Sequence, residues 1–203
     1  MRAAAIVVLD PMTSTDAPFD REPWRGAVEA VDAYELPSID LSRVGALLLG
    51  AMVDQELLHR HRSLVESFLA DGNVVVFSGH LLRPWLPGCG AFVPKVIRSF
   101  HDYALSIVTP HPLYAGVEPH DLTFRRGVAG FFARGHHPTP PGAEVLLALP
   151  DGEPVTYVDR RTTAGTVLVH AGGGLLDGGE PDSTAARVPA QLLAWVRAEV
   201  DRS

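Results

Sequence analysis

Two short segments carry the residues best suited to chemistry. Ser78-Gly79-His80 closes an apolar run over 74–77, and His170 closes a second one over 166–169. A serine hydroxyl attacks a carbonyl only with a base within hydrogen-bond reach, and His170 or His80 is of the right type. Ser78 and His170 are therefore the candidate catalytic pair, for hydrolysis of a small ester, amide or sugar derivative. Ser78-Gly79 lacks the Gly-x-Ser-x-Gly pattern that exposes a nucleophilic serine on a strained turn. The competing role for Ser78 is a bond to backbone groups at a tight turn. No acid stands next to His170, and Asp177 and Glu180 follow only some way along the chain.

Gly79, His80, Trp85 and His111 are the candidate ligand-binding residues. Gly79 and His80 sit at a strand end, Trp85 is a large aromatic just beyond it, and His111 opens a loop. The chain has nine histidines. A metal gathered by His80, His101, His111 and His170 is conceivable above a sheet. However, none of these residues has a recognised ligand spacing, and His136 and His137 are adjacent and poorly placed to share one ion. No metal and no cofactor is expected. Cys89 is the one cysteine. It excludes an intrachain disulfide and a Cys-rich zinc site, and its Pro- and Gly-rich loop points to an inert thiol. The glycines at 172–174 would cradle an anion if a helix began at once. The residues that follow read as a loop, so a connector is the simpler role.

Composition narrows the partners. The 203 residues are 46% hydrophobic and 20% charged, which fits one globular domain spanning 1–203. There are 17 basic and 24 acidic residues, a formal charge of −7. Nucleic acid and anionic membrane surfaces reward clustered Lys and Arg, so neither is expected as a partner. A small molecule or a protein partner is expected instead, with a homodimer allowed. No apolar stretch approaches the roughly 18 to 20 residues that span a bilayer. The amino-terminal apolar run ends in Asp10-Pro11 and reads as a strand instead of a secretory signal, which makes a cytoplasmic setting the default.

Several elements must position these residues. Short β-branched runs over 3–9, 44–50, 74–77 and 166–170 read as strands buried on both faces. A short helix is expected over 24–31 and a strand over 33–36. Asp54 can cap a helix in which Leu57, Leu58, Leu64, Val65, Phe68 and Leu69 recur at helical spacing, ended by Asp71-Gly72. Strand, helix, strand with tight connections is a βαβ unit. Strands are also expected over 95–108 and 122–133. Asp151-Gly152 suits a hairpin turn between strands over 143–149 and 154–158. A closing helix is expected over 183–200. The expected architecture is a flavodoxin-like, doubly wound α/β domain: a mostly parallel sheet with an antiparallel edge extension. Ligands then bind beyond the carboxyl ends of the strands.

On these residues the chain resembles the class I glutamine amidotransferase-like superfamily, in its trehalose-utilisation-like or related branches. Val75-Val76-Phe77-Ser78-Gly79-His80 is similar to the family's Gly-x-Cys-x-Gly-His turn, with Gly79 and His80 matched. The nucleophile position falls on Phe77 and the first Gly on Val75. Val167-Leu168-Val169-His170-Ala171-Gly172 is similar to the passage that holds the family's catalytic histidine. His170 takes that place and Gly172 the place of the acid. The resemblance extends to the order of elements, and to the loop from His111 to Val117. It implies a degenerate site that keeps the histidine and lacks both thiol and carboxylate. Glutaminase chemistry needs all three, so the expected function is binding without glutaminase activity.

Overall fold

The computed structural model describes residues 4–11, 18–177 and 180–202. Its strands are, in order, β1 (Ala5–Asp10), β2 (Glu29–Asp32), β3 (Val44–Leu49), β4 (Val74–Ser78), β5 (Val93–Pro94), β6 (Ser106–Ile107), β7 (Phe124–Arg125), β8 (Val128–Ala129), β9 (Gly135–His136), β10 (Glu144–Ala148), β11 (Pro154–Asp159) and β12 (Thr166–His170). The α-helices are α1 (Gln55–Arg60), α2 (Arg62–Ala70), α3 (Pro119–Thr123) and α4 (Val188–Val200). Eight strands form one mixed sheet in the order β2-β1-β3-β4-β12-β11-β10-β6. The first five are parallel to one another. The rest add on antiparallel, beginning with β11 against β12. The chain is thus an α/β protein built on a large mixed sheet.

The central strands read as continuous apolar runs because both faces are covered. Every residue of β3, β4 and β12 is buried. Side chains alternate across a strand. Val75, Phe77, Val167 and Val169 therefore meet Leu58, Val65, Phe68 and Leu69 of α1 and α2 on one face. Val74, Val76 and Leu168 meet Val188, Leu192, Trp195 and Val196 of α4 on the other. Gly45 lets α4 approach, since a Cβ there would lie 2.6 Å from Val200 Cγ1. Among the described residues no helix is long and apolar enough to cross a membrane.

Several local expectations change. The expected helix over 24–31 is a turn followed by β2, with Gly26 at φ 66 interrupting helical backbone and Trp24 buried in the core. The expected strand over 33–36 is a 3-10 helix, Ala33–Ser38, whose start Asp32 caps through the Tyr34 amide. The long helix breaks at His61, where φ −106 and ψ 22 separate α1 from α2. The expected strands over 95–108 and 122–133 shrink to two-residue ribbons around a 3-10 turn and α3. The hairpin at Asp151-Gly152 forms as expected, with both residues at positive φ. The closing helix begins at Val188 after a 3-10 turn over Thr184–Arg187. The expected loops over 10–23 and 175–182 lie partly outside the described residues.

A long excursion between β4 and β10 folds over the carboxyl ends of β4 and β12 and the start of β11. Phe92 donates its amide to Leu81, His137 donates to Pro154 at the start of β11, and Lys95 reaches the Pro150 carbonyl. This excursion, together with the turn after β3, forms the surface around Ser78, Gly79 and His80.

Candidate functional site

Ser78 and His170 close neighbouring parallel strands and stand in register. Both are fully buried, and their hydrogen bonds run elsewhere. Ser78 Oγ donates to the Gly172 carbonyl at 2.7 Å. This is the backbone-bonding role at a tight turn, and it places the hydroxyl away from solvent.

His170 is held at both ring nitrogens. Nε2 lies 3.0 Å from the Phe132 carbonyl, which only accepts, so Nε2 carries the proton. Nδ1 is then an acceptor, and Thr156 Oγ1 donates to it at 2.8 Å. Tyr114 completes the chain by donating to Thr156 at 2.7 Å. Burial pushes the His170 pKa down to about 3, against a smaller opposing effect of the Phe132 carbonyl. Both His170 nitrogens bond groups other than Ser78, and Ser78 Oγ bonds the Gly172 carbonyl. The structure therefore shows no hydrogen bond between the two residues expected from the sequence as a catalytic pair.

Gly172 explains why no acid stands beside this histidine. A Cβ at that position would lie 1.9 Å from the Phe132 carbonyl oxygen and 3.0 Å from His170 Nε2. The carbonyl occupies the space that a side chain would need, and it orients the ring as a carboxylate otherwise would.

Phe77 points to the other face. Its ring is fully buried and meets Trp85 edge-on, with centroids 5.1 Å apart. Trp85 is only 1% exposed, so it serves the core and does not line a ligand site. Gly79 is required by packing, because a Cβ would lie 2.8 Å from Ala51 Cα. Its amide donates to the His170 carbonyl. His80 alone of this group is exposed, stacked on Phe92 at 3.6 Å, and partial burial lowers its pKa. His111 is not brought to this corner. Its chain direction carries it past β6 toward the end where the parallel strands begin. There it accepts the Leu113 amide and packs near Trp195.

Cys89 is half-buried, and burial pushes its thiol pKa up to about 12, so it holds no reactive thiolate. Among the described residues no group of three His, Cys, Asp or Glu side chains is arranged to hold a metal. His80, His111 and His170 do not converge.

Two residues that the sequence alone does not place at this corner organise it. Gln55, one residue past the Asp54 cap, binds the segment after β4 from the side of α1. Its Oε1 accepts from the Leu82 and Arg83 amides at 2.8 and 3.3 Å and from Trp85 Nε1 at 3.4 Å, while its Nε2 donates to the His80 carbonyl at 2.7 Å. His137 is fully buried, and its Nε2 accepts the Leu81 amide at 3.0 Å. Burial pushes its pKa down to about 4, aided by the neighbouring His80 and His136. Neither residue sits in a motif, and only the approach of segments distant in sequence gives them their roles.

Beside this corner lies an open cleft of about 380 Å³, lined by Ala51, Met52, Val53, Asp54, Gln55, Glu56, Leu82 and Arg83. Met52 and Leu82 are 69% and 72% exposed at its rim, and Arg83 pairs with Glu56. A cavity of about 770 Å³ lies at the opposite end of the sheet, near Ala5, Glu29 and Val44, away from these residues.

No family model matches the chain. No curated protein matches it in sequence. Among solved structures it is similar to the exo-β-1,4-mannosidase Op5Man5 from Opitutaceae bacterium strain TAV5, at 14% identity and TM-score 0.46, over 98% of this chain and 35% of that one. It is also similar to Gan42B, a GH42 β-galactosidase from G. stearothermophilus, at 14% identity and TM-score 0.42, over 84% of this chain and 28% of that one. The chain spans about a third of the length of these structures. At this distance the likeness assigns it neither an activity nor a substrate.

Proposed function

We propose that residues 1–203 are a single flavodoxin-like, glutamine amidotransferase-like domain without glutaminase activity, which binds a partner over the carboxyl ends of its parallel strands. The strand order β2-β1-β3-β4-β12 supports the fold assignment, since it follows the 2-1-3-4-5 order of doubly wound sheets. One observation carries the loss of activity. At the positions that the resemblance gives for thiol and acid, Phe77 is buried against Trp85, and the Phe132 carbonyl leaves no room for a side chain at Gly172. The remaining histidine is locked at both nitrogens.

The surface favours a polypeptide over a small ligand. Among the described residues ten large hydrophobic side chains are exposed, and nine of them lie on the loop after β3 or on the long excursion. They are Met52, Leu82, Val93, Val96, Ile97, Phe100, Val108, Val128 and Phe131. Met52 and Leu82 stand together at the open cleft, and adjacent exposed apolar side chains are common at protein contacts. The cytoplasmic setting belongs to the same proposal. The test is ammonia release from glutamine by the purified protein. No turnover above the heat-inactivated control is expected. Substantial turnover that His170→Ala abolishes, with the variant still folded, would overturn the reading.

A further inference from the structure

His137 joins two segments far apart in sequence. Its Nε2 accepts the Leu81 amide of the segment after β4, while its own amide donates to Pro154. The neighbouring residues continue the seam, as β5 pairs with β9 and Gly90 donates to the Pro138 carbonyl. The ring is fully buried beside Phe92 at 5.6 Å and Phe77 at 6.3 Å. Since Nε2 accepts, Nδ1 carries the proton, and Nδ1 is buried without a hydrogen-bond partner.

We propose that His137 is an acid-released latch, which in its neutral form closes the segment after β4 over the Phe77–Trp85 pair and on protonation frees it. A proton from solvent adds at Nε2, the atom that accepts the Leu81 amide. Two donors then face each other and the bond is lost. The titratable groups around the ring oppose the new charge. They are His80 from the same segment, His136 from β9, and His170 from β12. Nδ1 has no acceptor to compensate, so the cation is relieved only by opening toward water. Opening uncovers Phe77 and Trp85, an apolar pair that neutral solution does not reach. The inference is independent of whether the domain has lost an activity.

Amide hydrogen exchange, corrected for intrinsic pH dependence, tests it on the whole chain. The Leu81 amide reports the latch, and the Val75 amide inside β4 reports global unfolding. Between the ordinary histidine pKa of about 6.5 and the lower pH at which the His137 ring nitrogens titrate by NMR, Leu81 protection is expected to fall about tenfold per pH unit. Val75 protection is expected to hold over the same range. In His137→Gln the side-chain oxygen still accepts the amide but does not titrate, so Leu81 protection becomes flat with pH. Should that variant not fold, the wild-type comparison of Leu81 with Val75 decides alone. The latch is refuted if both amides lose protection together, or if His137 titrates while Leu81 stays protected.

Discussion

At the scale of single residues, the same atoms that suggest catalysis turn out to hold the sheet end together. Tyr114, Thr156, His170 and the Phe132 carbonyl form one hydrogen-bonded chain with every His170 nitrogen satisfied. A buried polar network of this kind is costly to break, because each orphaned group forfeits its desolvation. His170→Ala is therefore expected to lower the unfolding free energy by about 3 kcal/mol, combining a cavity beside Phe132 with an unpaired carbonyl. Urea denaturation measures this. A catalytic role would predict little change in stability. The residue types at 78 and 170 were legible in the sequence. The occupation of both His170 nitrogens was not legible, because Thr156 and Phe132 arrive from β11 and from a loop separated from His170 by 14 and 38 positions.

At the scale of elements, the buried strands and the Asp-Gly hairpin were readable, whereas the segments around Trp24 and Leu36 were not. Continuous β-branched runs have few alternatives to a central strand. The stretch over 24–31 has helical-looking composition, yet Gly26 takes positive φ and its last residues pair with β1. The segment after β4 has no regular structure for a dozen residues and depends on α1 for its shape. Gln55 supplies that dependence through its four hydrogen bonds. Gln55→Ala is expected to cost about 1 kcal/mol, since much of the lost bonding goes to exposed backbone that water can serve. Its sharper signature is local. Acrylamide should quench Trp85 fluorescence more strongly in the variant, measured with Trp24 and Trp195 replaced by Phe. Unchanged quenching would mean that the Phe77–Trp85 contact fixes the segment without Gln55.

At the scale of the whole molecule, both faces of the sheet are closed by helices, and the last helix is tied at its end by charge. Glu199 is only 3% exposed and binds Arg160 at 2.5 Å, with Arg202 and Thr166 as further partners. It connects α4 to the loop that follows β11 and to the start of β12. Glu199→Gln is expected to destabilise by about 2 kcal/mol, below the usual cost of breaking a buried pair because both arginines remain partly exposed. Thermal unfolding followed by circular dichroism measures it. An unchanged midpoint would show that packing of Leu192, Trp195 and Val196 suffices to hold α4.

The sequence by itself determined the central strands, the first βαβ unit and the hairpin. Each of these is local: apolar period, turn chemistry or residue identity within a few positions. Only the tertiary structure decided what Ser78, His170, Trp85 and His111 do. The partners that bury and bond the first three come from distant segments, and chain direction carries His111 to the opposite end of the sheet. The same approach of distant segments gave Gln55 and His137 roles that no motif announced.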